Sequence, residues 1–318
     1  MSGIDVQHLS KQYEYYRKQP GVWGSLRSLI HRETLYADAV QDMSFQIEQG
    51  ELVGFLGPNG AGKTTTLKML SGILHPSSGT ATVLGHIPSR LEEAYQKQFA
   101  LVMGQKNQLV SDLPAMESFV LTKEIYEVSD AAYRETLDEL VTLLQIESIL
   151  DIPVRKLSLG QRMKCELVAA LLHDPKVLFL DEPTIGLDVV AQKNIRDFLK
   201  LYNQKKKTTI ILTSHYMDDI RALCERVVII NLGKIVYDGN LNELIKKHSP
   251  SKLLQVTFQG DGVTRRDLER YGEIHDFNAA QCTLKIPRAE AKRVAAELLS
   301  SNLPIDDILI HEVDVDDV

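Results

Sequence analysis

An α/β fold with a largely parallel sheet is what this sequence predicts, and three observations carry the prediction. Short apolar runs at residues 52–56, 177–180 and 209–213 end on glycine, on acids or beside a histidine instead of folding back through a hairpin turn. Segments with helical apolar spacing lie between them, and strands that alternate with helices imply a parallel sheet. A glycine-rich octapeptide, Gly57-Pro58-Asn59-Gly60-Ala61-Gly62-Lys63-Thr64, joins the first run to a helix-period segment holding Leu67, Leu70, Ile73 and Leu74.

The remaining elements follow in order. Residues 4–9 and 40–47 read as two short strands, with Phe45 and Ile47 alternating in the second, and residues 80–85 add a third strand to a β-rich edge. Residues 114–165 place Leu137, Leu140, Val141 and Leu144 at helical spacing. Helices are then predicted over 166–173, 189–204 and 217–224, and strands over 177–181, 208–213 and 226–230. Asn231-Leu232-Gly233-Lys234 is a hairpin-like turn into Ile235, Val236 and Tyr237. Ser249-Pro250-Ser251 marks a boundary, so residues 1–248 form the main domain and residues 249–318 a small α+β domain. In the latter, Leu254, Val256 and Phe258 alternate, as do Cys282, Leu284 and Ile286. A helical pattern over 289–299 and a strand over 305–310 complete an order of strand, helix, strand, strand, helix, strand.

The octapeptide matches G-x-x-x-x-G-K-[ST], a phosphate-binding loop. Its glycines let the backbone curl so that successive N–H groups of Gly57, Pro58-flanking Asn59, Gly60, Ala61 and Gly62 surround phosphate oxygens, and the helix N-terminus adds partial positive charge there. Lys63 reaches the β- and γ-phosphates, and the Thr64 hydroxyl suits Mg²⁺. Residues 177–180 deliver Asp181 and Glu182 at the carboxyl edge of the sheet, where open α/β folds bind ligands. Asp181 is the candidate Mg²⁺ ligand, and Glu182 the candidate group that polarises attacking water. His215 follows the third run and is placed beside the γ-phosphate.

Further motifs give the chain a family likeness. Leu157-Ser158-Leu159-Gly160-Gln161-Arg162 resembles the signature motif of ATP-binding cassette (ABC) proteins, with Leu159 standing where that motif has glycine. Ile185-Gly186-Leu187-Asp188 resembles their D-loop, His215 their switch histidine, and Gln105 the glutamine ahead of their helical insert. The five motifs span residues 52–215 in the family's order. The resemblance implies a P-loop NTPase (RecA-like) core with a β-rich edge subdomain, an inserted α-helical subdomain over about residues 106–165, and the small C-terminal domain. It implies ATPase activity with ATP and Mg²⁺. Glu182 and His215 would be catalytic. Tyr13 would stack on adenine, with Tyr36 as the alternative, and either ring could be core. Residues 57–64, Thr65 and Gln105 would bind the nucleotide, and Thr64, Gln105 and Asp181 the metal. Two cassettes would dimerise head to tail, so that Ser158, Gly160 and Gln161 of one close over the ATP of the other. A homodimer with two working sites is the expected partner arrangement, with a heterodimer as the alternative.

Composition sets limits. The chain has 318 residues, 44% hydrophobic and 25% charged, ordinary for a globular protein. No stretch approaches the roughly 20 apolar residues of a membrane span, and no signal peptide is expected. Cys165, Cys224 and Cys282 are scattered and show no metal spacing, as reduced thiols of a cytosolic protein would. A net charge of −7 argues against nucleic-acid binding. The acidic end from Asp306 reads as a solvated tail. Residues 11–38 are an insertion whose segment from Lys11 to Arg32 is basic, with Lys11, Arg17, Lys18, Arg27 and Arg32 against Glu14, and Val22, Trp23, Leu26, Leu29 and Ile30 at helical spacing. It is expected to pack as a short amphipathic helix on the β-edge, with contact to a membrane or permease as the competing reading.

Three function classes follow. The favoured one is the energising subunit of a membrane transporter, resembling ABC-2 type exporters, held on the inner face of the cell membrane by integral permease subunits. The others are a non-transport ATPase of translation or DNA repair, and mechanical work at a membrane without transport. Translation factors carry two cassettes and repair ATPases carry long coiled coils, neither of which this sequence has. No residue of a cassette encodes the cargo.

Overall fold

The computed structural model describes residues 2–16, 34–214, 216–248, 251–260, 262–278 and 280–312. They form two compact units, Met1–Asn240 and Leu241–Val318. The predicted boundary at residue 249 falls just after the helix Leu241–His248, which opens the second unit.

The first unit is built on a six-stranded sheet. Its strands are β3 (Leu52–Leu56), β5 (Phe99–Met103), β6 (Val177–Asp181), β7 (Thr209–Thr213), β8 (Arg226–Asn231) and β9 (Lys234–Asn240). They lie in the order β5-β6-β7-β3-β8-β9, all parallel except the β8–β9 hairpin. Every residue of β6 and β7 is buried. That is why both strands read as continuous apolar runs rather than as alternation. β5 is not among the predicted strands, although its run Phe-Ala-Leu-Val-Met is as apolar as theirs.

A separate three-stranded antiparallel sheet, ordered β2-β1-β4, forms the β-rich edge from β1 (Ser2–Tyr16), β2 (Thr34–Glu48) and β4 (Ser78–Val83). Ile4 pairs with Ile47, Val6 with Phe45 and Leu9 with Met43, all buried. β1 and β2 run well beyond the predicted 4–9 and 40–47, so residues 11–16 and 34–38 of the insertion are strand. Register shifts between Val6 and Leu9 and again before Lys11, with His8 at φ 53°, interrupt the period-2 pattern that would have shown this. Residues 22–30, where the amphipathic helix is expected, lie outside the described residues.

The helix after the phosphate loop spans Lys63–Leu70. It stops short of the predicted Ile73 and Leu74 because Gly72 takes a left-handed φ of 79°, and Ile73 is exposed. Helices Ala115–Ile125, Asp130–Leu144 and Leu159–Leu171 make up the helical region. Leu137, Leu140, Val141 and Leu144 form the buried stripe of the second of these, and Ser129 caps it by accepting from the Ala132 N–H.

In the second unit β10 (Ser251–Phe258), β11 (Glu273–Phe277), β12 (Gln281–Pro287) and β13 (Ile305–Glu312) form an antiparallel sheet ordered β11-β12-β10-β13. Helices Arg265–Leu268 and Ala291–Leu299 supply Leu268, Val294 and Leu298 to a core with Leu254, Val256, Cys282, Leu284 and Ile286. Among the described residues, no helix is long and apolar enough to cross a membrane.

Candidate active site

The site lies at the carboxyl ends of β3, β6 and β7. Gly57, Gly60 and Gly62 all have positive φ. Two of them also have no room for a side chain. A Cβ on Gly57 would sit 2.0 Å from the Ile230 carbonyl oxygen, and one on Gly62 would sit 2.5 Å from that of Ala39. The loop is braced from outside as well. The Gly233 N–H donates to the Ala61 carbonyl at 2.9 Å, and the Gln41 N–H donates to the Gly233 carbonyl at 2.7 Å. The Lys63 ammonium is buried and donates to the carbonyls of Gly57 at 2.5 Å and Pro58 at 3.1 Å. Burial lowers its pKa, and the carboxylates of Glu182 and Asp181 oppose that shift.

Asp181 ends β6 in direct register with Thr213 at the end of β7. The Thr64 hydroxyl lies 2.9 Å from both Asp181 carboxylate oxygens, and the Thr213 hydroxyl donates to Oδ1 at 2.8 Å. Thr64 and Asp181, both predicted, therefore meet, while Thr213 is a site residue that the sequence reading did not single out. Two parallel strands ending at the same level on Asp and Thr would have been its signal.

Glu182 has φ 53°, a left-handed value that only a well-braced backbone keeps. Its N–H donates to both the carbonyl of Thr213 at 3.1 Å and the Thr213 hydroxyl at 3.0 Å. Gln105 Nε2 donates to Glu182 Oε2 at 3.3 Å. The approach of these two segments explains the neighbouring Gly104, whose added Cβ would fall 2.1 Å from the Glu182 carbonyl oxygen.

Ser158 caps the helix Leu159–Leu171 in a capping box. Its hydroxyl accepts from the Gln161 N–H at 3.2 Å, and its own N–H donates to Gln161 Oε1 at 2.9 Å. These two predicted residues thus engage each other. Leu159 sits at the first helical position with no left-handed φ, so this backbone does not require glycine there. Its Cδ2 lies beside Gly186, and Gly160 approaches Ala191 closely. Tyr13 and Tyr36 are both largely exposed and belong to neighbouring cross-strand pairs, Tyr13–Ala37 and Glu14–Tyr36. They therefore face opposite sides of the β1–β2 ribbon, and neither is a core residue. His215 lies outside the described residues.

Residues 40–185 match the family model described as ABC transporter, and residues 250–311 match that of the EvrA-like ABC transporter, C-terminal domain. The Nod factor export ATP-binding protein I of Burkholderia orbicola is 34% identical over 244 residues, 76% of this chain and 79% of that protein. This chain belongs to the ABC transporter family. The ABC transporter ATP-binding protein NatA of Bacillus subtilis is 33% identical over 68% of this chain and 87% of its own length. Among solved structures, an ATP-binding subunit of an ABC transporter superposes with a TM-score of 0.62 at 27% identity, covering 77% of this chain and 92% of that one. An ATP-binding cassette dimer bound to ADP and phosphate gives 0.62 at 21% identity and shares the fold. The chain is accordingly an ABC ATP-binding subunit: it binds ATP and hydrolyses it.

Proposed function

We propose that this cassette powers a membrane exporter, and that the residues gathered at the ends of β3, β6 and β7 carry out its hydrolysis. The observation that supports this most directly is the convergence of Thr64, Asp181 and Thr213 beside the Gln105–Glu182 contact. A hydroxyl and a carboxylate 2.9 Å apart form the hard-oxygen donor pair that Mg²⁺ takes alongside substrate phosphates, so the residues fit that ion. Mg²⁺, when bound, supplies charge neutralisation at the β- and γ-phosphate oxygens. Lys63 and the N–H groups of Gly57 and of residues 59–65 hold the phosphates. Glu182 accepts the proton of a water whose oxygen bonds to the γ-phosphorus as the bond to the β–γ bridging oxygen breaks, and ADP leaves with that electron pair. His215 contacts the γ-phosphate, and Tyr13 stacks on adenine. Ser158, Gly160 and Gln161 close over ATP held by a second cassette, which a homodimer supplies in its simplest form. The residues beyond 249 act as a separate domain.

Export is favoured by the relatives. Besides the Nod factor export protein, the linearmycin resistance ATP-binding protein LnrL of Bacillus subtilis is 30% identical over 82% of this chain. A permease needs a landing place, and a recess of about 160 Å³ offers one. It is lined by Gln108, Leu109, Val110, Leu121, Ile125 and Tyr126. Val110, Leu121 and Ile125 are exposed, an apolar surface that begins five residues downstream of Gln105. His173 floors it, stacked on Tyr126 with ring centroids 3.8 Å apart, and burial holds its pKa below the usual range. Such a subunit would work at the inner face of the membrane.

The test is Glu182→Gln, tagged and purified from solubilised membranes with ATP and Mg²⁺. ATP binding should persist, hydrolysis should fall by about 10²–10⁴-fold, an ATP-dependent dimer should accumulate, and a multi-span membrane protein should co-purify. Normal hydrolysis would remove Glu182 as the base. Recovery of ribosomal or DNA-repair proteins without a membrane protein would move the function to the non-transport class.

A further inference from the structure

A carboxylate outside every motif named so far ties the two catalytic loops together. Asp219 lies on the helix Met217–Leu223 and is completely buried. Its Oδ2 accepts from the Ser214 hydroxyl at 2.9 Å and from the Thr184 hydroxyl, and its Oδ1 accepts from Arg196 Nη1 at 2.9 Å. Thr184 follows Glu182 by two residues, Ser214 directly precedes His215, and Arg196 belongs to the helix Val189–Lys206 that the D-loop leads into. Thr184 and Ser214 are themselves buried, and the Arg196 side chain is 15% exposed. A buried ion pair gains little once desolvation is counted. A fully buried carboxylate needs further donors for its remaining lone pairs, and here the two that complete Asp219 come one from each side of the site.

We infer that Asp219 is a positioning residue that sets the spacing between the loop carrying Glu182 and the loop carrying His215. The inference rests on the catalytic roles proposed above for those two residues. Through Thr184, Asp219 fixes the turn that holds Glu182 in its left-handed conformation. Through Ser214, it fixes the strand end from which His215 departs. Through Arg196, it anchors both to one rigid helix. Shifting a reacting group by about 1 Å is enough to lose about 10²-fold in rate. ATP binding is made by a different loop and should be spared.

The test is Asp219→Asn, which keeps the shape and removes the charge, compared with Thr184→Val and Ser214→Ala, each removing one hydroxyl. Asp219→Asn should lower kcat about 10–100-fold while the Kd for ATP stays within about twofold. In a Glu182→Gln background the same substitution should cause little further loss, because residues acting as one unit are non-additive. A lowered melting temperature with kcat per folded molecule unchanged would overturn the inference, and so would losses that multiply with Glu182→Gln. Should Asp219→Asn fail to fold, Thr184→Val and Ser214→Ala decide the matter by the same split between kcat and Kd. Normal hydrolysis by Glu182→Gln alone would overturn the assignment of the base. Ser214→Ala then becomes decisive for Asp219: a kcat loss at unchanged ATP affinity supports positioning through the His215 loop, and no loss refutes it.

Discussion

Replacing Thr213 by valine isolates the joint between β6 and β7. The side chains are nearly isosteric, so packing at this fully buried position is kept and the hydroxyl alone is lost. That hydroxyl donates to Asp181 at 2.8 Å and accepts from the Glu182 N–H at 3.0 Å. A hydrogen bond to a charged group contributes about 1.5–3 kcal/mol. The Glu182 N–H keeps its second acceptor, the Thr213 carbonyl at 3.1 Å, so its share of the loss is small. The net cost is therefore about 2 kcal/mol, or about 4–8 °C in the melting temperature of a unit of this size. Because Asp181 and Glu182 both lose a constraint, kcat should fall about tenfold as well, consistent with slight misplacement. Differential scanning calorimetry and steady-state ATPase assays on Thr213→Val and Thr213→Ser read both effects, and serine should restore most of each. A valine variant that melts within about 1 °C of the parent and hydrolyses ATP at the parental rate would show that the hydroxyl is not part of the site's framework.

Two further outcomes are expected. Gly57→Ala should abolish nucleotide binding, because its Cβ meets the Ile230 carbonyl at 2.0 Å, whereas Gly60→Ala, with open space around it, should lose only about 1–2 kcal/mol through its left-handed φ. Calorimetric titration with ATP separates them, and equal losses would refute the steric reading. Glu166 is buried in the helix Leu159–Leu171, where desolvation raises its pKa against the pull of the Gln108 and Leu109 N–H groups and Arg162. The folded chain then holds this proton to higher pH than the unfolded chain does, so its contribution to stability declines as pH rises from the ordinary glutamate range through the raised value. Glu166→Gln should flatten that decline in urea midpoints measured from pH 4 to 8, and parallel curves for the two proteins would contradict it.

The parts of this fold legible in the sequence are those with one dominant local signal. β6 and β7 show as apolar runs because both faces are covered, and Ser158 with Gln161 reads as a helix start because a capping box is local. The extended ends of β1 and β2 were hidden because the register shifts break alternation and because Tyr13, Tyr15 and Tyr36 face solvent among charged residues. Motif order singled out Gln105 and Glu182 separately, but not their contact across 77 positions, which only the fold brings about. Asp219 gave no such signal. Its partners stand 5, 23 and 35 positions away, and an acid on a short helix looks like a surface charge until the fold buries it.

The bracing of the phosphate loop bears on whether that loop is portable. Its eight residues are often treated as a cassette of their own, transferable between proteins as a string. Here Ala61 is held by Gly233 from the β8–β9 turn, Gly233 in turn by Gln41 of β2, and Gly62 has the Ala39 carbonyl where a side chain would go. The curl is thus moulded by two segments far from it in sequence, residues 39–41 and Gly233, and they carry none of the motif. A graft of the octapeptide between a foreign strand and helix would bring the right donors without the mould that aims them. The shape of this site is set by a clasp of three backbones, and the recognisable string is its innermost layer.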